Sequence, residues 1–118
     1  MIYSCSNNDG KHLLEVKNII RCEGVGNYTL IHCLESNPLS FSKTLLIVEE
    51  ELQKYNSFVR IHRAHLINVE YIACVSRKDG GTIRLKSGEE FAIARARRAE
   101  VKKMIDAYCT DQSKDNTE

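Results

Sequence analysis

FVRIHRAHLINVEYI, residues Phe58 to Ile72, places Arg60, His62, Arg63 and His65 within six residues that include no acid, between flanks apolar enough to be core. Cations held that densely beside buried chain repel one another and lower the stability of the compact state, so the pattern demands something for them to face. The apolar rhythm here is short. It predicts a strand near Phe58 to His62, an interruption, and a second strand over Val69 to Arg77.

Downstream, Lys78-Asp79-Gly80-Gly81 has the composition of a hairpin loop, Thr82 to Lys86 of a returning strand, Ser87-Gly88 of a second turn, and Glu89 to Ile93 of a further strand. That is a meander. From about Ala96 to Tyr108 the period lengthens, with Val101, Met104, Ile105 and Tyr108 on one helical face and Arg97, Arg98, Lys102 and Lys103 elsewhere.

Upstream, Leu13 to Val16 and Ile19 to Glu23 read as two strands joined by a tight turn at Lys17-Asn18. Gly24-Val25-Gly26-Asn27 predicts a loop, because its glycines suit unusual backbone angles. Tyr28 to Leu34 is rich in β-branched and aromatic residues and predicts a largely buried strand, turned by Glu35 to Pro38. Leu45, Val48, Leu52 and Tyr55 then recur at helical spacing, with Thr44 able to cap the start and Glu49-Glu50-Glu51 mainly outward. The expected class is mainly β, with about eight strands, a short inserted helix and a C-terminal helix.

A chain of 118 residues, 42% apolar and 28% charged, suits one folded domain with one modest core. Residues 1–8 are expected to be a linker or a disordered N-terminus, 9–109 the domain, and 110–118 a flexible tail. No apolar run reaches the roughly 20 residues that span a bilayer, and Met1 to Asn8 lacks a signal-peptide pattern, so no membrane partner and a cytoplasmic location are expected. Five cysteines, Cys5, Cys22, Cys33, Cys74 and Cys109, stand in odd number without a CxxC pair. Reduced structural thiols are expected.

Net charge is only +1, yet Phe58 to Lys103 holds eleven Lys/Arg against five Asp/Glu, and the remainder six against eleven. That polarity can steer a polyanion, although solvated charged faces would look the same. A zinc site through His62-x-x-His65 is disfavoured, since residues three apart on a strand face opposite ways and no third ligand stands at useful spacing. No nucleophile elbow, P-loop or paired acids in a glycine-rich setting point to catalysis. Three clusters remain: Asn27-Tyr28 at the glycine-rich loop, Arg60 to His65, and Arg95-Ala96-Arg97-Arg98 where the last strand gives way to helix. They are either plain surface charge around a satisfied core histidine, or three bends converging on a phosphate-lined groove.

Taken in order, the EGVGNYT loop from Glu23, the leucine-spaced helix, FVRIHRAHLIN and the closing AIAR segment resemble the LytTR DNA-binding domain found at the C-terminal end of many bacterial response regulators. Glu23 to Ile31, Phe58 to Ile72 and Gly80 to Ile105 carry the resemblance. It implies an elongated, mostly β fold of antiparallel sheets whose loops and turns, rather than a recognition helix, enter successive major grooves on one face of duplex DNA. It places Asn27, Tyr28, Arg63, Arg95 and Arg97 at base edges and Lys43, Arg60, Lys102 and Lys103 at phosphates, with His62 bracing the turn. It implies no catalytic residue, metal or cofactor. Where relatives often carry serine this chain has Ala64 and Ala94, which removes two hydroxyl contacts.

The partners implied are promoter repeats bound by paired copies and, if the chain is a fragment, an upstream receiver domain for which 118 residues leave no room. A separately expressed C-terminal domain is favoured over a free-standing regulator. The alternative function is a protein interaction module whose basic face meets an acidic partner.

Overall fold

The computed structural model describes residues 1–116, with elements in the order β1 (Ile2–Asn7), β2 (Gly10–Glu15), β3 (Ile19–Val25), β4 (Tyr28–Cys33), β5 (Leu39–Phe41), α1 (Leu45–Leu52), β6 (Phe58–His62), β7 (His65–Asn68), β8 (Ile72–Ser76), β9 (Thr82–Leu85), β10 (Glu90–Ala92) and α2 (Arg98–Asn116). All pairings are antiparallel. A five-stranded sheet ordered β5-β4-β3-β7-β6 forms the middle, and the β1-β2 hairpin and the β8-β9-β10 meander make separate sheets.

Alternation along the central strands explains why both faces of the middle sheet are covered. Ile19, Cys22, Ile31, Phe58 and Leu66 pack with Tyr3, Cys5 and Val16 of the hairpin region and with Leu45, Val48 and Leu52 of α1. Val59, Ile61 and Ile67, on the opposite face, pack with Ile83 and Leu85 of β9, with Ile93 just after β10 and with Val101 of α2. The result is three layers in a slab of 42 × 37 × 24 Å. Thr44 caps α1 as its spacing predicts, its hydroxyl accepting from the Ile47 N–H at 3.4 Å.

Several expectations are corrected. Residues 1–8 are not a linker: β1 pairs with β2, and Tyr3 and Cys5 are buried. Tyr3 and Cys5, alternate residues of IYSCSN, share a core with α1, and the Tyr3 hydroxyl donates to Glu51 Oε1 at 2.6 Å. The runs around Lys17-Asn18 are not a hairpin either. A 3₁₀ turn at Val16–Asn18 carries the chain from the outer hairpin into the middle sheet. His65–Asn68, expected as an interruption, is a central strand with Leu66, Ile67 and Asn68 buried. The last helix runs on to Asn116, beyond its expected end, while residues 117–118 of the expected tail lie outside the described residues.

Candidate nucleic-acid interface

The glycine-rich stretch is a two-residue turn, not an open loop: Val25 still pairs with Tyr28, and Gly26 takes φ 60 at the first central position. Asn27 and Tyr28 are exposed at its tip. β3 lies against β7 with Glu23 opposite His65, so this turn stands at the same end of the sheet as the turn between β6 and β7. A backbone bond from the Gly24 N–H to the Ala64 carbonyl, 2.9 Å, ties the two together. Two strand spacings separate their centres, roughly 10 Å. Gly24 suits this close approach, because a Cβ would lie 3.2 Å from Leu45 Cβ, tighter than ordinary contact.

The second turn carries Arg63 and Ala64 between the paired His62 and His65. Neither central residue has a left-handed φ, so this is not one of the primed turns that match strand twist unaided. Side chains supply the constraint. His62 Nδ1 accepts the Ala64 N–H at 3.1 Å, which is the bracing role expected of it. Arg60 Nε donates to the His62 carbonyl at 2.8 Å and Nη2 to the Arg63 carbonyl at 2.6 Å, while Nη1 meets Glu49 Oε1 of α1 at 2.6 Å. The Arg60 side chain is 11% exposed. Its guanidinium is engaged by these internal partners, so Arg60 braces the turn and ties it to α1. Lys43 is paired as well: its ammonium bonds both Glu51 oxygens, at 2.9 and 3.0 Å. Arg63 itself is exposed and, among the described residues, forms no ion pair.

The third bend follows β10. The Ala94 N–H donates to the Ile61 carbonyl at 2.9 Å, pinning the start of the Arg95–Arg97 3₁₀ turn beside the outer edge of β6, two residues before Arg63. Asn27-Tyr28, Arg63 and Arg95 thus stand in one row across one end of the slab. Arg95 is exposed and Arg97 half-buried. With about three residues per turn, Arg97 points roughly 120° away from Arg95, so the two do not address one spot. α2 leads back from this end, for Tyr108 reaches Glu70 Oε2 at 2.6 Å beyond the far end of β7. Lys102 and Lys103 are exposed along it, Lys102 in a surface pair with Asp106 at 3.0 Å that worth is screened by water.

Behind the row, a polar cluster occupies the meander side. Buried Arg21 meets Glu89 at 3.2 Å and lies over the Phe91 ring, and His32 meets Glu23 at 3.2 Å. His65 packs on Phe91 with ring centres 4.8 Å apart. Burial, then His62 and Arg21, hold its imidazole below the ordinary histidine value. The His62 and His65 rings approach to 5.5 Å, contrary to the expectation that they face opposite ways. A two-residue turn makes them cross-strand partners, and such partners share a face. Among the described residues, no group of three metal-ligating side chains accompanies them. No helix among these residues is long and apolar enough to cross a membrane.

The LytTr DNA-binding domain family matches residues 9–106, covering every turn in this row. The chain belongs to that family. Its fold is similar to the LytTr DNA-binding domain of a methyl-accepting/DNA response regulator from Bacillus cereus, with a TM-score of 0.71 at 20% identity over 88% of this chain and 95% of that one. In sequence it is similar to two heme-containing CO-sensing transcriptional regulators of Paraburkholderia xenovorans, RcoM 1 and RcoM 2, at 28% and 27% identity over 97 residues. The alignment takes in 79% of this chain and 35% of each regulator, so the chain spans about a third of their length.

Two functional contributors of this LytTr domain escaped the sequence reading. Glu49 anchors the Arg60 fork from a helix eleven residues earlier, and read as one of three outward acids it gave no sign of this. Buried Thr29 donates to the Lys43 carbonyl at 2.7 Å, fixing the chain just ahead of α1 to β4. A threonine in a β-rich run signals only strand.

Proposed function

We propose that this LytTr domain is the output module of a cytoplasmic transcription regulator that binds specific duplex sites through the row of turns, with two copies on repeated half-sites. In this reading Arg63 and Arg95 contact base edges, Asn27 and Tyr28 reach the groove beside Arg63, and Arg97, Lys102 and Lys103 meet the sugar-phosphate flank. Phosphate contacts supply affinity and orientation, and the few groove contacts select sequence. In place of Arg60 and Lys43, which serve the scaffold, α2 offers the flanking cations. An upstream receiver domain would supply the signal that pairs the copies.

The observation that carries the reading is the locking of three bends to one end by the Gly24–Ala64 and Ala94–Ile61 backbone bonds, with Arg63 and Arg95 exposed outside any ion pair among the described residues. Unneutralised guanidiniums on a rigid row suit guanine's O6/N7 edge, where each good bidentate contact discriminates by about 1–3 kcal/mol. The test is selection of bound sequences from a random duplex pool, followed by titration of the selected site and a scrambled duplex. Arg63→Ala should weaken the selected site tenfold or more and the scrambled duplex much less. Equal losses would remove Arg63 as a base reader. No preference of the unaltered domain for any duplex would favour an acidic protein partner instead.

A further inference from the structure

A cleft of about 490 Å³ opens between the two adjacent turns and the first turn of α1, lined by Gly24, Gly26, Thr44, Leu45, Leu46, Arg60, Arg63 and Ala64. Most of that wall cannot reach outward. Leu45 is buried, the Thr44 hydroxyl caps its helix, the Arg60 fork is bonded internally, and the glycines and Ala64 are short. Two long side chains remain, Arg63 and Leu46, and Leu46 is 56% exposed. Single exposed leucines are ordinary on protein surfaces. This one shares a cleft with the arginine that leads the proposed groove contact, on a helix start held in register by Gly24 and Thr29.

Across the major groove, hydrogen-bonding edges vary from pair to pair, but the thymine 5-methyl is the apolar group an aliphatic side chain can read. We propose that Leu46 is a specificity-determining residue that packs on a thymine 5-methyl within about three base pairs of the base contacted by Arg63. The inference rests on the duplex-binding reading above and adds a preference that charge alone would not produce. Thr44 serves as the cap, Ala64 lacks a hydroxyl and Arg60 is bonded internally, so Arg63 is the one polar side chain of this lining left to reach outward beside Leu46. Burying one methyl corresponds to about a three- to fourfold change in affinity.

The experiment uses the selected duplex with single thymine-to-deoxyuridine replacements, which delete the 5-methyl and keep the base pair. The position relaxed by Arg63→Ala sets the reference point. The unaltered domain should lose about three- to fourfold at one thymine within three base pairs of that point. Leu46→Ala should bind the thymine and deoxyuridine forms alike there while still preferring the selected site to scrambled duplex, and Leu46→Met, which keeps apolar reach, should retain part of the discrimination. Circular dichroism of each variant establishes that α1 persists. Absence of any thymine near the reference point, indifference of the unaltered domain to the replacement, or a penalty surviving in Leu46→Ala would overturn the assignment and leave duplex binding intact. Lack of preference between selected and scrambled DNA would instead defeat the duplex reading itself.

Discussion

Arg60 separates a scaffold role from a DNA-contacting role in one substitution. Its guanidinium joins α1 to the β6–β7 turn through Glu49 and two turn carbonyls, with side chains 11% and 23% exposed for Arg60 and Glu49. Removing one partner of a buried ion pair costs about 3–5 kcal/mol, because the other charge is left without compensation. Glu49 is partly wetted and the two carbonyls lie near the surface, so water recovers some of that and the lower end applies, about 3 kcal/mol. For a domain of this size each kcal/mol moves Tm by roughly 4 °C, giving about 12 °C for Arg60→Ala. Thermal unfolding by circular dichroism measures it. The second readout is the salt dependence of DNA binding. A brace carries no phosphate, so the slope of log K against log salt should stay unchanged even as a loosened Arg63 turn weakens specific affinity. Loss of a phosphate contact would flatten it by about 0.9. A Tm within 2 °C of the parent together with a flattened slope would refute the brace, at an expected precision of about half a kcal/mol.

Lys102→Ala should show the reverse pattern, with stability unchanged and the salt slope reduced by about 0.9 on every duplex, measured by titration at several salt concentrations; an unaltered slope removes it from the interface. Because His65 is held below the ordinary histidine value by burial first and by His62 and Arg21 next, the folded state favours its neutral form. Stability from that preference is complete above an unfolded value of about 6.5 and is lost as pH falls through the lower folded value. Urea midpoints should therefore drop as pH falls below about 6.5, with a smaller drop in His65→Gln; parallel profiles would contradict it. Glu51 lies below the ordinary carboxylate value, since the Tyr3 hydroxyl and Lys43 outweigh the opposing effect of burial. The contact it makes to β1 is present above the unfolded carboxylate value and should be lost in more acid solution, followed as exposure of Tyr3 by tyrosine fluorescence. Cys109 is exposed while Cys5 and Cys22 are buried with thiols pushed up by burial, so alkylation should mark Cys109 first and Cys22 only on unfolding, read by peptide mass.

What could be read in advance depended on the range of the interaction. The α1 cap at Thr44 and β6 at Phe58–His62 follow from local spacing and stand where the sequence puts them, and the β8-β9-β10 meander does too except that Val69–Tyr71, expected as strand, is a 3₁₀ turn ahead of β8. The errors cluster where a polar segment becomes central through distant partners. His65–Asn68 looks like a break because of its histidine and asparagine, yet Asn68 is buried with its amide donating to the Ile19 carbonyl at 2.8 Å. β1 passes for a linker because its apolar residues are only Ile2, Tyr3 and Cys5, and only tertiary packing gives Tyr3 and Cys5 a core to join.

Among the candidate site residues the same division holds. A dense run of Arg and His beside apolar strands is visible in the chain as written, and so are the glycines that allow tight turns before Asn27. Which cation is paired and which is not cannot be seen there, because the acid that meets Arg60 comes from a helix eleven residues earlier. Arg60 and Arg63 are alike in sequence; alternation along a strand aims one at Glu49 and a turn lifts the other into solvent. The sequence by itself determined the strands, the turns and the concentration of positive charge, since these depend on near neighbours. Only the tertiary structure decided that three bends share one end and which side chains stand there unneutralised, since strand order and cross-layer contacts join residues that local propensity cannot relate.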